Sequence, residues 1–328
     1  MKTITIVGAT GNQGLSVADA FLPLPDWHVR CITRNPSSPK AQTLASLGAS
    51  IVKADLADIA SLRLAFVDSN VIFNNIDFWG PFHTTGSYED AYEQEVQHGR
   101  NAAIAAATVP TLSRFVYSTL APMKKHSGGK YPHSHHCDAK AEIMEFIETQ
   151  TPELAQKTSY IIIGAYATNP LFMPRWNPDI QRYQFMVPLN KEQKMPIIAA
   201  RESTGAFVKA LIDEPPRTRL LAYDSDLTIG DIVEAWTRAT GSEAELVEVD
   251  AGKMHEQMGI PWEVLDAFLF IGQFGYAGGI EGVIHPSQLK VNVQTESFET
   301  WLKRRNWEEV LQGGSVELNS VVGSVPRS

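Results

Sequence analysis

The chain opens on an alternating and then continuous apolar run, Thr3-Ile4-Thr5-Ile6-Val7, which ends at Gly8. Such a run reads as a strand buried on both faces. Similar runs recur at Trp27–Thr33, Ala49–Ala54, Val71–Ile76, Arg114–Ser118 and Thr158–Gly164. Helix-permissive stretches lie between them: Leu15–Phe21, a segment beginning near Asp58, Glu89–Thr108 with its alanine-rich end, and a helix opening at His136 and running to Thr149. Strand alternating with helix specifies a parallel sheet covered on both faces, with right-handed crossovers. The expected fold class is therefore α/β and doubly wound, of the Rossmann type.

After Gly164 the pattern changes. Ala165–Met195 is irregular and aromatic (Tyr166, Phe172, Trp176, Tyr183, Phe185), and is expected to face a substrate rather than to add to a sheet. Ser203–Ile212 reads as a helix, Leu220–Ala222 as a short strand, and Thr228–Ala239 as a helix capped by Thr228 and Asp231. Glu245–Val249 reads as a strand, Lys253–Met258 and Pro261–Phe274 as helices, and Thr295–Arg305 as a last amphipathic helix. Phe268, Phe270 and Phe274, at near-helical spacing, read as core. From Gly313 the tail is polar and is expected to fray.

Composition narrows the function. A hydrophobic content of 44% with 20% charged residues fits a globular chain, and 328 residues suit one large or two closely joined domains. A net charge of −9 argues against binding nucleic acid through a basic face. Cys31 and Cys137 make no disulfide framework, no signal peptide is expected ahead of the first strand, and no apolar run is long enough to cross a bilayer. The expectation is a cytoplasmic protein with no membrane partner.

Between the first strand and the first helix stand Gly8, Gly11 and Gly14. In a strand–turn–helix context the first glycine allows the tight turn, the second lets phosphate approach the backbone, and the third lets helix pack on strand. The helix end then presents free N–H groups to a pyrophosphate. Thr10, Asn12 and Gln13 share that turn and are cofactor-binding candidates with the glycines. The second strand ends at Arg34 with no acid beside it, and Ser37, Ser38 and Lys40 follow. Since an acid there accepts a free ribose hydroxyl and an arginine accommodates a 2′-phosphate, the cofactor expected is NADP(H) over NAD(H). Asp55-Leu56 could reach the adenine or could open the next helix. Asn75, Asp77 and Phe78, with Trp79, stand where the middle of a cofactor would pass, or else form an aromatic loop packed on itself. Tyr166 and Asn169 are the last cofactor candidates. The division expected is a dinucleotide-binding domain over residues 1–165, receiving 200–225, and a smaller mixed α+β domain over 166–328 that faces substrate or partner.

The run GATGNQG resembles the NmrA-like branch of the atypical short-chain dehydrogenases. His136 and Lys140 lie four apart on one helix face. In short-chain dehydrogenases this pair is a tyrosine and a lysine, with a hydroxyl from the end of the fifth strand. Lys140 matches the lysine, Ser118 or Thr119 the hydroxyl, and His136 stands in the tyrosine's place. The segment HCDAKAEIMEFI is similar to that of the human NmrA-like redox-sensor group, where histidine is also common at this position. A histidine can donate a proton near neutrality, and Tyr131 is a second candidate donor. The resemblance implies either an NADP(H)-dependent reductase of a small carbonyl or conjugated apolar substrate, or a sensor of cofactor state that regulates a protein partner. Glu202–Val208 resembles a fold-building segment of the family. No metal is expected: His126, His133, His135, His136, Cys137 and Asp138 cluster in sequence, but adjacent histidines seldom converge on one ion.

Overall fold

A computed structural model describes residues 1–311, so the tail from Gly313 lies outside the described residues. Eight strands form one sheet: β1 (Lys2–Val7), β2 (Trp27–Thr33), β3 (Ser50–Lys53), β4 (Val71–Asn74), β5 (Arg114–Thr119), β6 (Thr158–Ile163), β11 (Arg219–Ala222) and β14 (Val283–Ile284). Their order is β14-β11-β6-β5-β4-β1-β2-β3, and every pair is parallel. The chain builds outward from β1 to β3, then restarts on the other side at β4. That reversal leaves a crevice at the C-terminal ends of β1 and β4, where sheets of this kind take their ligands.

Strand residues alternate between two cores. Ile4, Ile6, Val29, Phe73, Val116 and Ile161 face the Asn12–Phe21 and Ala200–Asp213 helices. Val7, Ile72, Phe115, Tyr117 and Tyr160 face the Ile59–Phe66, Tyr88–Ala107 and His135–Gln150 helices. The expected α/β sheet is thus present, and both of its faces are covered.

The stretch expected to be irregular contains four strands: β7 (Ala165–Tyr166), β8 (Arg175–Asn177), β9 (Arg182–Val187) and β10 (Lys194–Ile198). β10 lies between β7 and β12 (Ser225–Thr228), and β9 between β8 and β13 (Ala244–Glu248). β7, β8 and β9 have two to six residues and partly open faces, with Trp176 exposed, so they carry no long apolar run to read, whereas β10 is a buried apolar run broken by Pro196. Phe185, Met195, Trp236, Leu265, Phe268 and Trp301 form the core of this second lobe. The Thr228–Asp231 capping box is formed. β14, late in the chain, returns to the large sheet beside β11. Among the described residues no helix is long and apolar enough to cross a membrane.

The Glu202–Val208 segment builds the fold at one close contact. Gly205 N–H donates to Ser16 Oγ at 2.9 Å, and a Cβ at Gly205 would stand 2.1 Å from the Ser16 carbonyl oxygen. Gly205→Ala must therefore push the helix of the glycine turn off its neighbour. Overpacking of this kind costs about 1–3 kcal/mol, which urea unfolding should register. Unchanged stability would show that the two helices have room to part.

Candidate functional site

Two of the three glycines in the opening turn are required by the chain itself. Gly8 has φ +73°, and a Cβ there would lie 2.6 Å from the Asn75 carbonyl oxygen. A Cβ on Gly14 would lie 2.2 Å from the Gly8 carbonyl oxygen. Gly11 differs: its φ is −87°, it is exposed, and a Cβ would meet nothing nearer than 3.4 Å. It caps the Asn12–Phe21 helix with no side-chain hydrogen bond, and the first turn holds no acid. The helix end therefore offers bare amides and open backbone, a surface that fits a diphosphate.

Around this cradle the expected cofactor residues divide. Gln13 is buried and donates through Nε2 to the Tyr166 hydroxyl at 2.9 Å, while its Oε1 is buried without a partner. Lys40 Nζ donates to the Thr10 carbonyl at 3.2 Å, which brings it across the turn. Arg34 is exposed past β2, and Asn12 is exposed in the turn. Burial lowers the His98 pKa, Asp55 raises it and Arg34 lowers it, so these three groups share one corner. Ser38 caps the Pro39–Ser46 helix. Asp55 Oδ1 accepts from Ala57 N, and it is Asp58 that caps the next helix. The Leu56 carbonyl accepts from Asn101. Asn75 meets the turn through its carbonyl. Asp77 accepts from Trp79 N and Gly80 N, starting the Trp79–Thr85 helix. Phe78 is buried against Trp79 and His136. Asn169 is occupied by Leu171 N, capping the Pro170–Phe172 turn.

Of the expected catalytic residues, Lys140 reaches the segment after β4, and its helix is tied to the end of β5. Lys140 Nζ donates to the Ile76 carbonyl at 2.8 Å and to Glu95 Oε1 at 2.5 Å. Glu95 comes from the Tyr88–Ala107 helix and is fully buried. Burial raises its pKa, and Lys140 pulls it back. Thr119 Oγ1 and the Tyr117 hydroxyl both donate to the Lys140 carbonyl at 3.2 Å, so they anchor the helix that carries the lysine. Ser118 is buried at the end of β5. Tyr131 is packed with Phe270 and donates to Gln273 Oε1 at 2.8 Å, so its hydroxyl is already committed.

The histidines are held by acids that the sequence reading did not single out. Glu263 Oε1 accepts from His136 N at 2.8 Å and meets His136 Nδ1 at 2.5 Å. Its Oε2 accepts from His135 N at 3.0 Å and meets His135 Nδ1 at 2.8 Å. Asp266 treats His133 in the same way, at 3.0 and 2.8 Å. Burial opposes ionisation of Glu263, but the His135 and His136 bonds win and bring its pKa down to about 2. The Glu263 bond holds His135 above the usual imidazole value despite burial. Burial disfavours the His136 cation, yet Cys137 and Glu263 outweigh it and raise its pKa. The one available signal was acidic residues three apart, Glu263 and Asp266, inside an otherwise apolar helix. Tyr276 was also missed; it donates to the Ile163 carbonyl at the end of β6 at 2.9 Å. A groove of about 960 Å³ lies elsewhere, lined by Trp176, Tyr183, Trp236 and Trp307, and holds none of these groups.

The signs of these shifts give a pH prediction. Glu263, lowered from 4.5, contributes stability that is complete above pH 4.5 and lost as pH falls toward about 2. The histidines, raised from 6.5, contribute stability that is complete below pH 6.5 and lost as pH rises through their folded values. Wild type should therefore exceed Glu263→Gln in stability by most between pH 4.5 and 6.5. Denaturant melts across pH test this, and a pH-independent difference would contradict it.

Comparison with known proteins identifies the family. A family model described as NmrA-like family matches residues 1–310. The NmrA-like family domain-containing oxidoreductase hkm9 of Aspergillus hancockii is 30% identical over 313 residues, covering 88% of this chain and 87% of its own. The corresponding oxidoreductase himF of Aspergillus japonicus is 29% identical over 289 residues, 80% of each chain. Among solved structures, the negative transcriptional regulator NmrA in complex with NAD aligns with TM-score 0.73 at 18% identity, over 95% of this chain and 98% of that one. Leucoanthocyanidin reductase with NADPH from Vitis vinifera aligns with TM-score 0.67 at 15% identity, over 92% and 98%. These two likenesses concern the fold. With a family model spanning nearly all of it and relatives matched over most of their length, the chain belongs to the NmrA-like family.

Proposed function

We propose that this protein is an NADP(H)-dependent oxidoreductase that reduces the carbonyl or conjugated double bond of a small apolar substrate. The observation that carries the reading is Gly11: packing does not demand a glycine there, whereas an approaching diphosphate does. The uncapped amides of the Asn12–Phe21 helix would hold that diphosphate. Arg34 and Lys40, with Ser37, would receive a 2′-phosphate, and no acid follows β2 to favour a free hydroxyl. Relatives named oxidoreductases, and NAD- and NADPH-bound structures of the same fold, support it. Two buried free cysteines suit a reducing cytoplasm.

When bound, the reduced nicotinamide supplies a hydride. The chain supplies position and a proton. Lys140 spends two of its three N–H donors on Ile76 and Glu95, leaving one for a ribose hydroxyl. Through the Ile76 carbonyl it also fixes the loop that follows β4. His136 lies beside Phe78 of that loop and Trp79 at the start of the next helix, and is the donor to the reduced substrate.

Binding and turnover test the reading separately. NADPH should bind more tightly than NADH, and Arg34→Ser should weaken NADPH by about tenfold or more, as loss of a charge-assisted bond does, while leaving NADH unchanged. Equal loss for both coenzymes would remove the specificity argument. NADPH oxidation with a panel of ketones and enones should disappear in Lys140→Ala. Tight cofactor binding with no turnover across the panel would instead favour a sensor that signals to a protein partner.

A further inference from the structure

The geometry points to Glu263 as a positioning residue for this reaction: a carboxylate from the second lobe that commits His136 Nδ1, so that His136 delivers its proton only from Nε2. The inference rests on the proposed reductase reading. Glu263 belongs to the Trp262–Phe274 helix, and its side chain is wholly inaccessible whereas that of His136 is 19% exposed. Its two oxygens accept four bonds, two main-chain and two ring, from His135 and His136. That set fills the carboxylate's bonding directions and fixes both imidazoles in rotation. With Nδ1–H committed to Glu263, Nε2 is the one nitrogen of His136 left to exchange a proton.

Nε2 meets Cys137 Sγ at 3.2 Å. A thiol is a weak partner on either side of a hydrogen bond, so a substrate oxygen can displace it. The ring lies 5.4 Å from Trp79 and 6.0 Å from Phe78, centroid to centroid, where the loop after β4 meets the next helix. Charged and titratable groups that act on His136 are Glu263, Cys137, Asp138 and Glu95; His135 shares its carboxylate. Of these, Cys137 meets the ring at Nε2 and Glu263 at Nδ1, and Glu263 is the one carboxylate in contact with it.

The step balances. As the carbonyl carbon gains a hydride, the C=O π pair moves to oxygen, and oxygen takes the Nε2 proton. His136 ends neutral with Nδ1–H still on Glu263, which keeps its charge throughout. Solvent returns the Nε2 proton before the next turnover.

A helix cap alone would also explain Glu263, since it receives two main-chain N–H groups at the start of the His135–Gln150 helix. The test must therefore read charge rather than folding. We would follow the His136 ring by ¹⁵N and ¹³C NMR in the NADP⁺-saturated protein, assigning it by its loss in His136→Gln. Wild-type His136 should titrate above 6.5 with Nδ1 protonated in both forms. Glu263→Gln, which keeps an acceptor for the cap, should lower the midpoint by about one unit or more, and Glu263→Asp should restore part of it. The alkaline limb of kcat should move with it, and KM much less. A wild-type midpoint at or below 6.5, or one unmoved in Glu263→Gln, overturns the inference. The wild-type titration stands even if the variants do not fold. Absence of turnover with a raised His136 midpoint would sink the reductase reading and leave the Glu263–His136 pairing intact.

Discussion

The contact on which the site depends is the close approach of Gly14 to the Gly8 carbonyl. It lays the first helix directly on the end of β1, so the helix's positive end opens into the crevice between β1 and β4. Gly8 in turn lies against the Asn75 carbonyl just after β4, which fixes the floor of that crevice. Gly205 closes the arrangement from behind by holding the same helix against Ser16. Three glycines thus set the helix, and the fourth, Gly11, is left free for a ligand.

The helix that carries His136 and Lys140 solves a second problem. A histidine and a lysine stand on one helix where the fold leaves little water, and each would be costly as an unpaired cation. Each is met by a buried carboxylate from elsewhere: Lys140 by Glu95, His136 by Glu263. The Glu263 partnership reaches His136 from the Trp262–Phe274 helix of the second lobe. With Nδ1 held by Glu263, the free nitrogen of His136 is Nε2.

Much of this was legible in the sequence. The parallel sheet was written in its apolar runs, because strands covered on both faces have no room for polar alternation. The glycine spacing could be read because its contacts are to backbone, and the His136–Lys140 pair because four positions along a helix make one turn of one face. The acids could not. Glu95 and Glu263 are ordinary helix residues by type, and only the tertiary fold brings them to cations 45 and 127 positions away. Tyr131 was readable as a donor by chemistry alone, but its bond to Gln273 spans 142 positions. The strands from Ala165 to Ile198 were missed because short strands in open mixed sheets carry little periodicity.

The central claim is that bare main-chain amides past β1 grip a dinucleotide's diphosphate. Amide ¹⁵N–¹H spectra recorded as NADP⁺ is added test it most directly. The account predicts that Asn12 and Gln13, whose amides open the helix, shift first and furthest, in step with binding, whereas the Gly11 amide already donates to the Gly8 carbonyl at 3.0 Å. Saturable binding that leaves those two amides unmoved would contradict it.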